Sequence, residues 1–249
     1  MAFRSGDALN PLLKRLQAVS QLNEVEINAI AALPFTIREV KAGWEVVREG
    51  DRPSQSCLVV DGVSCRFKIL GDGGRQIVSV HIRGDMPDLQ SLFLEQMDHN
   101  LATMTPSMIV LIQHRSLHTL MEQHPRIAGI LWRESLVDGS IFREWLGNIG
   151  RRPAATRIAH LICELFVRYR AMDANDGMMI PFAFTQTELG DAQGLSTVHV
   201  NRVLKELKKH KLISISKKVL KIENWAELQK AGDFDQSYLH LRHPVAELT

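Results

Sequence analysis

The segment spanning residues 185–213 limits what this chain can fold into more than any other part of it. Thr185 is followed three residues later by Glu188, which is the spacing of a capping box at the start of a helix. Gly194 indicates a turn, because glycine adopts a left-handed backbone without steric strain. Ser196 then has the position of a second helix cap. The segment therefore predicts two short helices joined by a tight turn.

The second of these helices has an apolar face and a basic face. Its apolar residues recur at i, i+3, i+4 and i+7, as expected of a helix packed on a core: Val200, Val203, Leu204 and Leu207. Residues 197–221 contain eight lysines and arginines against one acid, a local net charge of +7, whereas the whole chain carries +2. Such asymmetry indicates a partner with phosphate groups. The pattern predicts a helix-turn-helix whose second helix enters the major groove of DNA, and a solvated basic face is the alternative.

Residues near the start of a recognition helix reach base edges, and Thr197 and Val198 suit a thymine methyl group. Asn201 suits adenine, and Arg202 suits guanine or a phosphate. Lysines further along the helix can neutralise phosphates but do not specify sequence. The pair Lys217-Lys218 lies between two short strands and predicts a basic wing over the phosphate backbone. The predicted DNA-contacting residues are Thr185, Gln186, Ser196, Thr197, Val198, His199, Asn201, Arg202, Lys205, Lys217 and Lys218.

The N-terminal half of the chain has a different periodicity. Residues 8–33 are predicted to be helical, whereas residues 35–112 switch to short strands rich in valine and isoleucine, separated by glycine-containing turns. This spacing favours a sandwich, a jelly roll or a barrel. The predicted strands are Trp44–Val47, Cys57–Val60, Ser64–Leu70, Gln76–His81 and Ile109–Ile112.

Residues 116–148 become helical again, and Pro125 has the position of a helix first turn. The apolar residues after it fall three or four apart on one face, so this helix either docks on its own domain or forms a dimer seam. We favour the seam, because helix-turn-helix proteins usually read two half-sites. The predicted seam residues are Ile127, Ile130, Leu131, Glu134, Val137, Ile141 and Trp145.

The segment Gly150-Arg151-Arg152-Pro153 marks a boundary, since proline disfavours helix at the residue before it. Four regions are therefore predicted along the chain. They are a sensor domain over residues 1–115, a dimerisation helix region over 116–150, a winged helix-turn-helix domain over 151–230, and a tail over 231–249 that has no periodic pattern.

Composition and motifs exclude several classes of protein. The three cysteines show no CxxC spacing, which indicates a reduced, cytoplasmic chain without a disulfide framework. No window approaches 18 consecutive apolar residues, and the N-terminus lacks the apolar core of a secretory signal, so no membrane partner is expected. No nucleophile–base pair, phosphate loop or run of metal ligands is visible, so the chain is not expected to be an enzyme.

Together these features resemble the Crp/Fnr family of bacterial transcription regulators over residues 10–230. The resemblance rests on turn residues in the N-terminal part and on the helix-turn-helix pattern in the C-terminal part: Gly43, Glu49-Gly50-Asp51, Leu58, Val60, Gly62, Gly74-Arg75-Gln76 and Gly84-Asp85, then Thr185, Glu188, Leu189, Gly194, Ser196, Val200, Arg202, Leu204 and Leu207. The resemblance implies an α+β chain with an N-terminal β jelly roll of the cyclic-nucleotide-binding type, a long dimerisation helix and a C-terminal winged helix-turn-helix. It also implies a homodimer on a palindromic promoter site in double-stranded DNA, with RNA polymerase as a partner.

Three departures from the family pattern concern the signal and the target. Members that bind cyclic AMP carry a Gly-Glu pair and, further on, an Arg-Ser pair, whereas the Arg-Ser position here holds His99-Asn100. Without that arginine the bidentate clamp on a cyclic phosphate is missing, which argues against cyclic AMP. No cysteine precedes Cys57, which argues against the N-terminal iron–sulfur cluster of oxygen-sensing members. The base-reading Glu-x-x-Ser-Arg pattern is also replaced, so that only Arg202 carries over.

The sequence leaves the effector unknown. Ten histidines suggest a metal or haem, but no full ligand set is visible, which argues against both. The residues His81, Asp88, His99 and Asn100 are candidates for a remodelled pocket that takes another small polar ligand, and a pocket filled by side chains is equally consistent. The predicted function is a sequence-specific DNA-binding transcription regulator that responds to a signal other than cyclic AMP. The alternative is a ligand-binding or docking module whose basic C-terminal domain binds a protein partner.

Overall fold

The computed structural model describes residues 7–172 and 177–243. Over these residues the chain divides into two compact units. The first unit consists of the described residues up to Lys68 together with Ser79–Gly139, and the second consists of Ile69–Val78 together with the described residues from Ser140 onwards. Helices and sheets both contribute, which confirms the predicted α+β class.

The first unit opens with two helices, α1 (Asn10–Val19) and α2 (Glu24–Ala31), where one helix was predicted over residues 8–33. The break between them has a local cause. The Asn23 side chain accepts a hydrogen bond from the Glu26 backbone N at 2.9 Å, and the Glu26 carboxylate accepts one from the Asn23 N at 2.8 Å. Such a capping box satisfies the unpaired amides of a helix start, so a new helix begins here.

Seven strands follow, and they form two sheets. The strands are β1 (Thr36–Val40), β2 (Glu45–Val47), β3 (Gln55–Asp61), β4 (Ser64–Ile69), β5 (Arg75–His81), β6 (Asn100–Thr103) and β7 (Ser107–Gln113). One sheet has the order β1-β7-β3 and the other β2-β6-β4-β5, with antiparallel pairing. This matches the predicted jelly-roll domain. Strands β1 and β6 were not predicted, because β1 buries none of its side chains fully and β6 has only four residues.

Two helices, α3 (His114–Gln123) and α4 (Pro125–Arg151), occupy the region that was predicted to be helical over residues 116–148, with a helix start at Pro125. Pro125 is the first residue of α4. A proline is tolerated in the first turn of a helix but breaks a helix interior, so it separates α3 from α4.

One face of α4 is buried within its own chain. Ile127, Ile130 and Leu131 belong to the apolar core of the first unit. Glu134 accepts a hydrogen bond from Arg15 Nε at 2.9 Å. The other members of the predicted dimer seam are also at most 6% exposed: Val137, Ile141 and Trp145. These side chains are therefore covered within a single chain, and their role as a dimer seam stays a prediction.

The opposite face of α4 carries the uncovered apolar side chains. Trp132, Leu136, Phe142 and Leu146 are each at least 50% exposed. At 100° per residue, these four positions fall within a stripe about 120° wide. We call this set the outer stripe of α4. Each set of apolar residues falls on one side of the helix, so sequence periodicity does not tell which set packs on its own chain.

The second unit contains the predicted winged helix-turn-helix. Its elements are α5 (Ala154–Met172), β8 (Met179–Pro181), α6 (Gln186–Gln193), α7 (Thr197–Lys209), β9 (Ile213–Ser216), β10 (Val219–Ile222) and α8 (Trp225–Ala231). The strands form a small antiparallel sheet in the order β8-β10-β9. Helix α5 packs against α6, α7 and α8, so it is the core helix of this unit.

The first part of the predicted tail packs on the second unit. Phe234 is 6% exposed, and the Tyr238 hydroxyl donates to Glu164 Oε2 at 3.0 Å. Glu164 is fully buried and also accepts from Trp145 Nε1 at 2.9 Å. A buried carboxylate is stable only when its oxygens are hydrogen-bonded, so Tyr238 belongs to the core of this unit. Residues 244–249 of the predicted tail lie outside the described part of the chain.

Candidate nucleic-acid interface

The turn between α6 and α7 is closed by its own backbone. Thr185 caps α6 as predicted: its Oγ1 accepts from the Glu188 N at 3.1 Å, and Glu188 Oε2 accepts from the Thr185 N at 2.7 Å. Gly194 has a φ of +62°, the left-handed conformation expected there. The Leu195 N donates to the Gly190 carbonyl oxygen at 3.0 Å, and a Cβ on Gly190 would lie 2.5 Å from the Leu195 oxygen. The angle between α6 and α7 therefore requires glycine at position 190.

Helix α7 is capped and packed as its sequence predicts. The Ser196 Oγ accepts from the His199 N at 3.3 Å. The apolar face of α7 is turned towards the core of the second unit, where α7 packs against α5 and α6. Three of its four predicted members are buried and the fourth, Leu204, is half-buried; the buried ones are Val200, Val203 and Leu207.

The outer face of α7 carries the side chains predicted to read bases. Thr197, Val198 and Arg202 are exposed, and so is Lys205 further along the helix. Asn201 is half-buried. The first turns of α7 therefore present methyl, amide and guanidinium groups together, followed by a lysine.

His199 contacts the predicted guanine reader. The Arg202 Nη2 lies 2.8 Å from the His199 Nε2. A guanidinium has donors only, so Nε2 is the acceptor and the ring proton of this tautomer lies on Nδ1. The His199 ring therefore holds the guanidinium of Arg202 beside the preceding turn of α7. The residue types alone did not indicate this role.

Two further members of the predicted DNA-contacting set serve the helix starts. The hydroxyl groups of Thr185 and Ser196 are engaged as the caps of α6 and α7. Gln186 is exposed at the first position of α6. The two caps orient the helices, and Gln186 presents an amide beside them.

The wing is the hairpin of β9 and β10. Ser216 pairs with Val219, so Lys217 and Lys218 form a two-residue turn. Both lysines are exposed and have positive φ, +49° and +63°. Two positive φ values are typical of a type I′ turn, which favours Asn-Gly and costs a residue with a side chain about 1 kcal/mol. The wing therefore presents two exposed lysines on a turn whose backbone favours other residues.

Two of the predicted effector-pocket residues make separate local contacts in the first unit. The buried His81 has its Nε2 at 2.8 Å from the Ser79 Oγ. The Asn100 Oδ1 accepts a hydrogen bond from the Glu49 N at 3.2 Å. Each of these side chains therefore has a polar partner within the first unit, and their place in one effector pocket stays a prediction.

Asp88, the third of these residues, is buried. Its Oδ1 accepts from the Cys57 N at 2.7 Å, while its Oδ2 is buried without a hydrogen-bond partner. Burial raises the pKa of the Asp88 carboxyl to about 7, although the Cys57 amide and the charge of Arg66 oppose this shift. Asp88 thus fastens its loop to β3 with a carboxyl group that titrates near neutrality.

His99, the fourth, lies beside a bridge of side chains that was not predicted. Arg66 on β4 donates to the Pro87 carbonyl oxygen and to Asp138 Oδ2, both at 2.5 Å. Gln90 lies 3.4 Å from the Arg66 Nη2 and 3.3 Å from the His99 Nε2. The bridge joins β4, the loop after β5 and α4 within the first unit. The surroundings of His99 are therefore occupied by Arg66 and Gln90.

The structure adds two observations on metals and membranes. Within residues 7–172 and 177–243, no three His, Cys, Asp or Glu side chains are grouped so that they could hold a metal ion. None of the helices described there is long and apolar enough to cross a membrane. The three cysteines are all buried.

Comparison with known proteins identifies relatives of both units. Residues 37–124 match the cyclic nucleotide-binding domain, and residues 156–231 match the Crp-like helix-turn-helix domain. The transcriptional activator protein FnrL of Cereibacter sphaeroides is 25% identical over 204 residues, which cover 79% of this chain and 80% of FnrL. The nitrogen fixation regulation protein FixK of Rhizobium meliloti is 26% identical over 206 residues, which cover 80% of this chain and 89% of FixK. The solved structure of FixK2 from Bradyrhizobium japonicum has the same fold, with a TM-score of 0.72 at 22% identity over 80% of this chain and 98% of that chain.

Gly190→Ala is expected to destabilise the second unit, because the added methyl group would meet the Leu195 oxygen and force the turn apart. The expected loss is about 1–3 kcal/mol of unfolding free energy, as for other overpacked sites. Gly129→Ala on α4 is the matched control, since its new Cβ would have no neighbour within 4 Å. Alanine should stabilise that helix by about 1 kcal/mol. Thermal denaturation of both variants measures the difference, and shifts of the same sign would contradict this account.

The double variant Lys217→Asn/Lys218→Gly is expected to be more stable and to bind DNA more weakly. Asn-Gly fits a type I′ turn and removes strain of about 1 kcal/mol or more. The loss of two proposed phosphate contacts from each bound chain should reduce the slope of log K against log salt by about 2 per chain. Urea denaturation and anisotropy titrations at several salt concentrations measure both effects. If the variant binds DNA as the wild type does at every salt concentration, the wing does not contact DNA.

Asp88→Asn is expected to change how stability depends on pH. In the wild type the folded-state pKa of about 7 lies above the ordinary value of 3.8, so stability falls as the pH rises through this interval. Asparagine resembles the protonated carboxyl and does not titrate. The stability of the variant relative to the wild type should therefore increase from pH 4 to pH 7 and then level off. Melting temperatures across this range test the prediction, and a difference that is the same at every pH would refute it.

Proposed function

Because the chain belongs to the Crp/Fnr family of DNA-binding transcription regulators, we propose that it acts as a homodimer that reads a palindromic promoter site through α7 and the wing. The observation that carries the proposal is the outer face of α7. Exposed Thr197, Val198 and Arg202 stand at its start, within a segment whose local net charge is +7. This arrangement supplies both of the contacts that such binding requires, those to base edges and those to phosphates.

Within this interface the side chains have different roles. Arg202, held by His199, donates to the acceptors of a guanine, and Asn201 forms the amide pair with an adenine. Lys205, Lys217 and Lys218 neutralise phosphates. The Gln186 side chain donates to the DNA backbone from the start of α6. The unpaired backbone amides of this helix end also favour a phosphate.

The proposed dimer forms through the outer stripe of α4. Its four apolar side chains are exposed in the single chain, although large apolar groups are normally buried. A second copy is the partner that fits, because a two-fold axis along the stripe brings like residues together. Two copies of α7 are also what a palindromic site requires.

The proposed signal is not cyclic AMP. His99 and Asn100 stand where family members that bind this nucleotide have Arg-Ser, and both are engaged with neighbours: His99 with Asp98 at 2.7 Å and Asn100 with Glu49. The Arg66–Asp138 bridge already joins the sensor strands to α4. In this proposal the sensor acts on transcription through α4 and through contact with RNA polymerase, without a catalytic step.

DNA binding is tested by anisotropy titration of the full chain against duplexes from its own promoter region. Arg202→Ala should relax the preference at one base pair, at a cost of about 1–3 kcal/mol, whereas Lys218→Ala should weaken all duplexes alike. Binding that is undetectable or insensitive to salt would overturn the proposal, since phosphate contacts release counterions. Identical behaviour of the two variants would overturn the assigned roles.

Leu146→Glu in the outer stripe is expected to yield a monomer with weaker DNA binding, because a charge would be buried between the two helices. Val25→Glu is the matched control, since Val25 on α2 is 63% exposed and Leu146 is 66% exposed. Sedimentation equilibrium of both variants measures the association. A Leu146→Glu variant that stays dimeric while keeping its fold would exclude the outer stripe as the dimer face.

A further inference from the structure

Val198 is the most exposed large apolar side chain in the part of the chain that the structure describes, at 79%. It lies in the first turn of α7, where the neighbouring Thr197 and the cap residue Ser196 are polar. Valine has no advantage in forming a helix, and a position this exposed adds little to the core. The fold of α7 therefore does not explain a valine at this site.

Val198 and Arg202 stand on the same face of α7, because residues four apart are neighbours on a helix surface. One helical turn rises about 5.4 Å, and successive base pairs are about 3.4 Å apart. With Arg202 over one base pair, Val198 lies over a base pair one or two steps away. The contact between Arg202 and His199 holds the guanidinium beside the first turn of α7, which also carries Val198.

Val198 has neither a hydrogen-bond donor nor an acceptor, so it distinguishes bases by apolar contact alone. In the major groove of unmodified DNA, only thymine presents a methyl group. We propose that Val198 is a specificity-determining residue that selects a thymine through its 5-methyl group, one or two base pairs from the guanine read by Arg202. This inference rests on the proposed DNA-binding function and deepens it.

The test uses a duplex that the full-length chain selects from a randomised library. Each thymine of this duplex is replaced in turn by deoxyuridine, which removes only the 5-methyl group and leaves base pairing unchanged. One thymine in each half-site, one or two steps from the guanine, is expected to show a fall in affinity of about fourfold on replacement, the value of one buried methyl group. The other replacements should have smaller effects.

Three variants assign the effect to its residue. Val198→Ala should lose the distinction between thymine and uracil, whereas Val25→Ala, the same change at a valine on α2 that is 63% exposed, should keep it. Val198→Glu should select cytosine at the same position when the library selection is repeated, because a carboxylate accepts from the cytosine amino group. Thermal denaturation verifies that each variant is folded.

The outcomes separate this inference from the function on which it rests. If no duplex is selected, DNA binding itself fails. If a duplex is selected but every deoxyuridine replacement leaves the affinity unchanged, DNA binding stands and the methyl readout is wrong. Discrimination that persists in Val198→Ala would assign the readout to another residue and overturn the role of Val198.

Discussion

The hydrogen bond from the Leu195 amide to the Gly190 carbonyl sets the direction in which α7 leaves α6, and the DNA-reading surface depends on that direction. The two backbone segments approach this closely only because residue 190 has no side chain. The caps at Thr185 and Ser196 then fix where each helix starts. Binding side chains on such rigid elements are placed more accurately than side chains on loops. The contact of Arg202 with His199 also fixes the position of the proposed guanine-reading side chain.

Helix α4 has two apolar faces with different uses. The inner face, with Ile127 and Leu131, belongs to the core of the first unit, so the helix is stable without a partner. The outer stripe, from Trp132 to Leu146, remains exposed in the single chain. Burying apolar surface contributes roughly 25 cal/mol per Å², so pairing of two outer stripes favours association. In the proposed dimer, α4 would therefore carry both a part of the sensor core and the contact with the second chain.

Features that depend on a few neighbouring residues could be predicted from the sequence. The capping box at Thr185, the left-handed Gly194 and the helix start at Pro125 are all present. Features that depend on distant partners could not. Arg66 and Asp138 are 72 residues apart, and Tyr238 and Glu164 are 74 apart, so no local pattern relates them. The inner and outer apolar residues of α4 each fall on one side of the helix, and only the packed chain shows which of them its own core covers.

Hydroxyl-radical footprinting of the full chain on its selected duplex tests most directly whether two α7 helices of one dimer enter the major groove. Two protected stretches are expected, related by the two-fold symmetry of the site and centred about 34–36 Å, or 10–10.5 base pairs, apart. A multiple of this spacing would also place both helices on one face of the DNA. A single protected stretch, or two stretches separated by a half-integral number of turns, would contradict a symmetric dimer that reads DNA through α7.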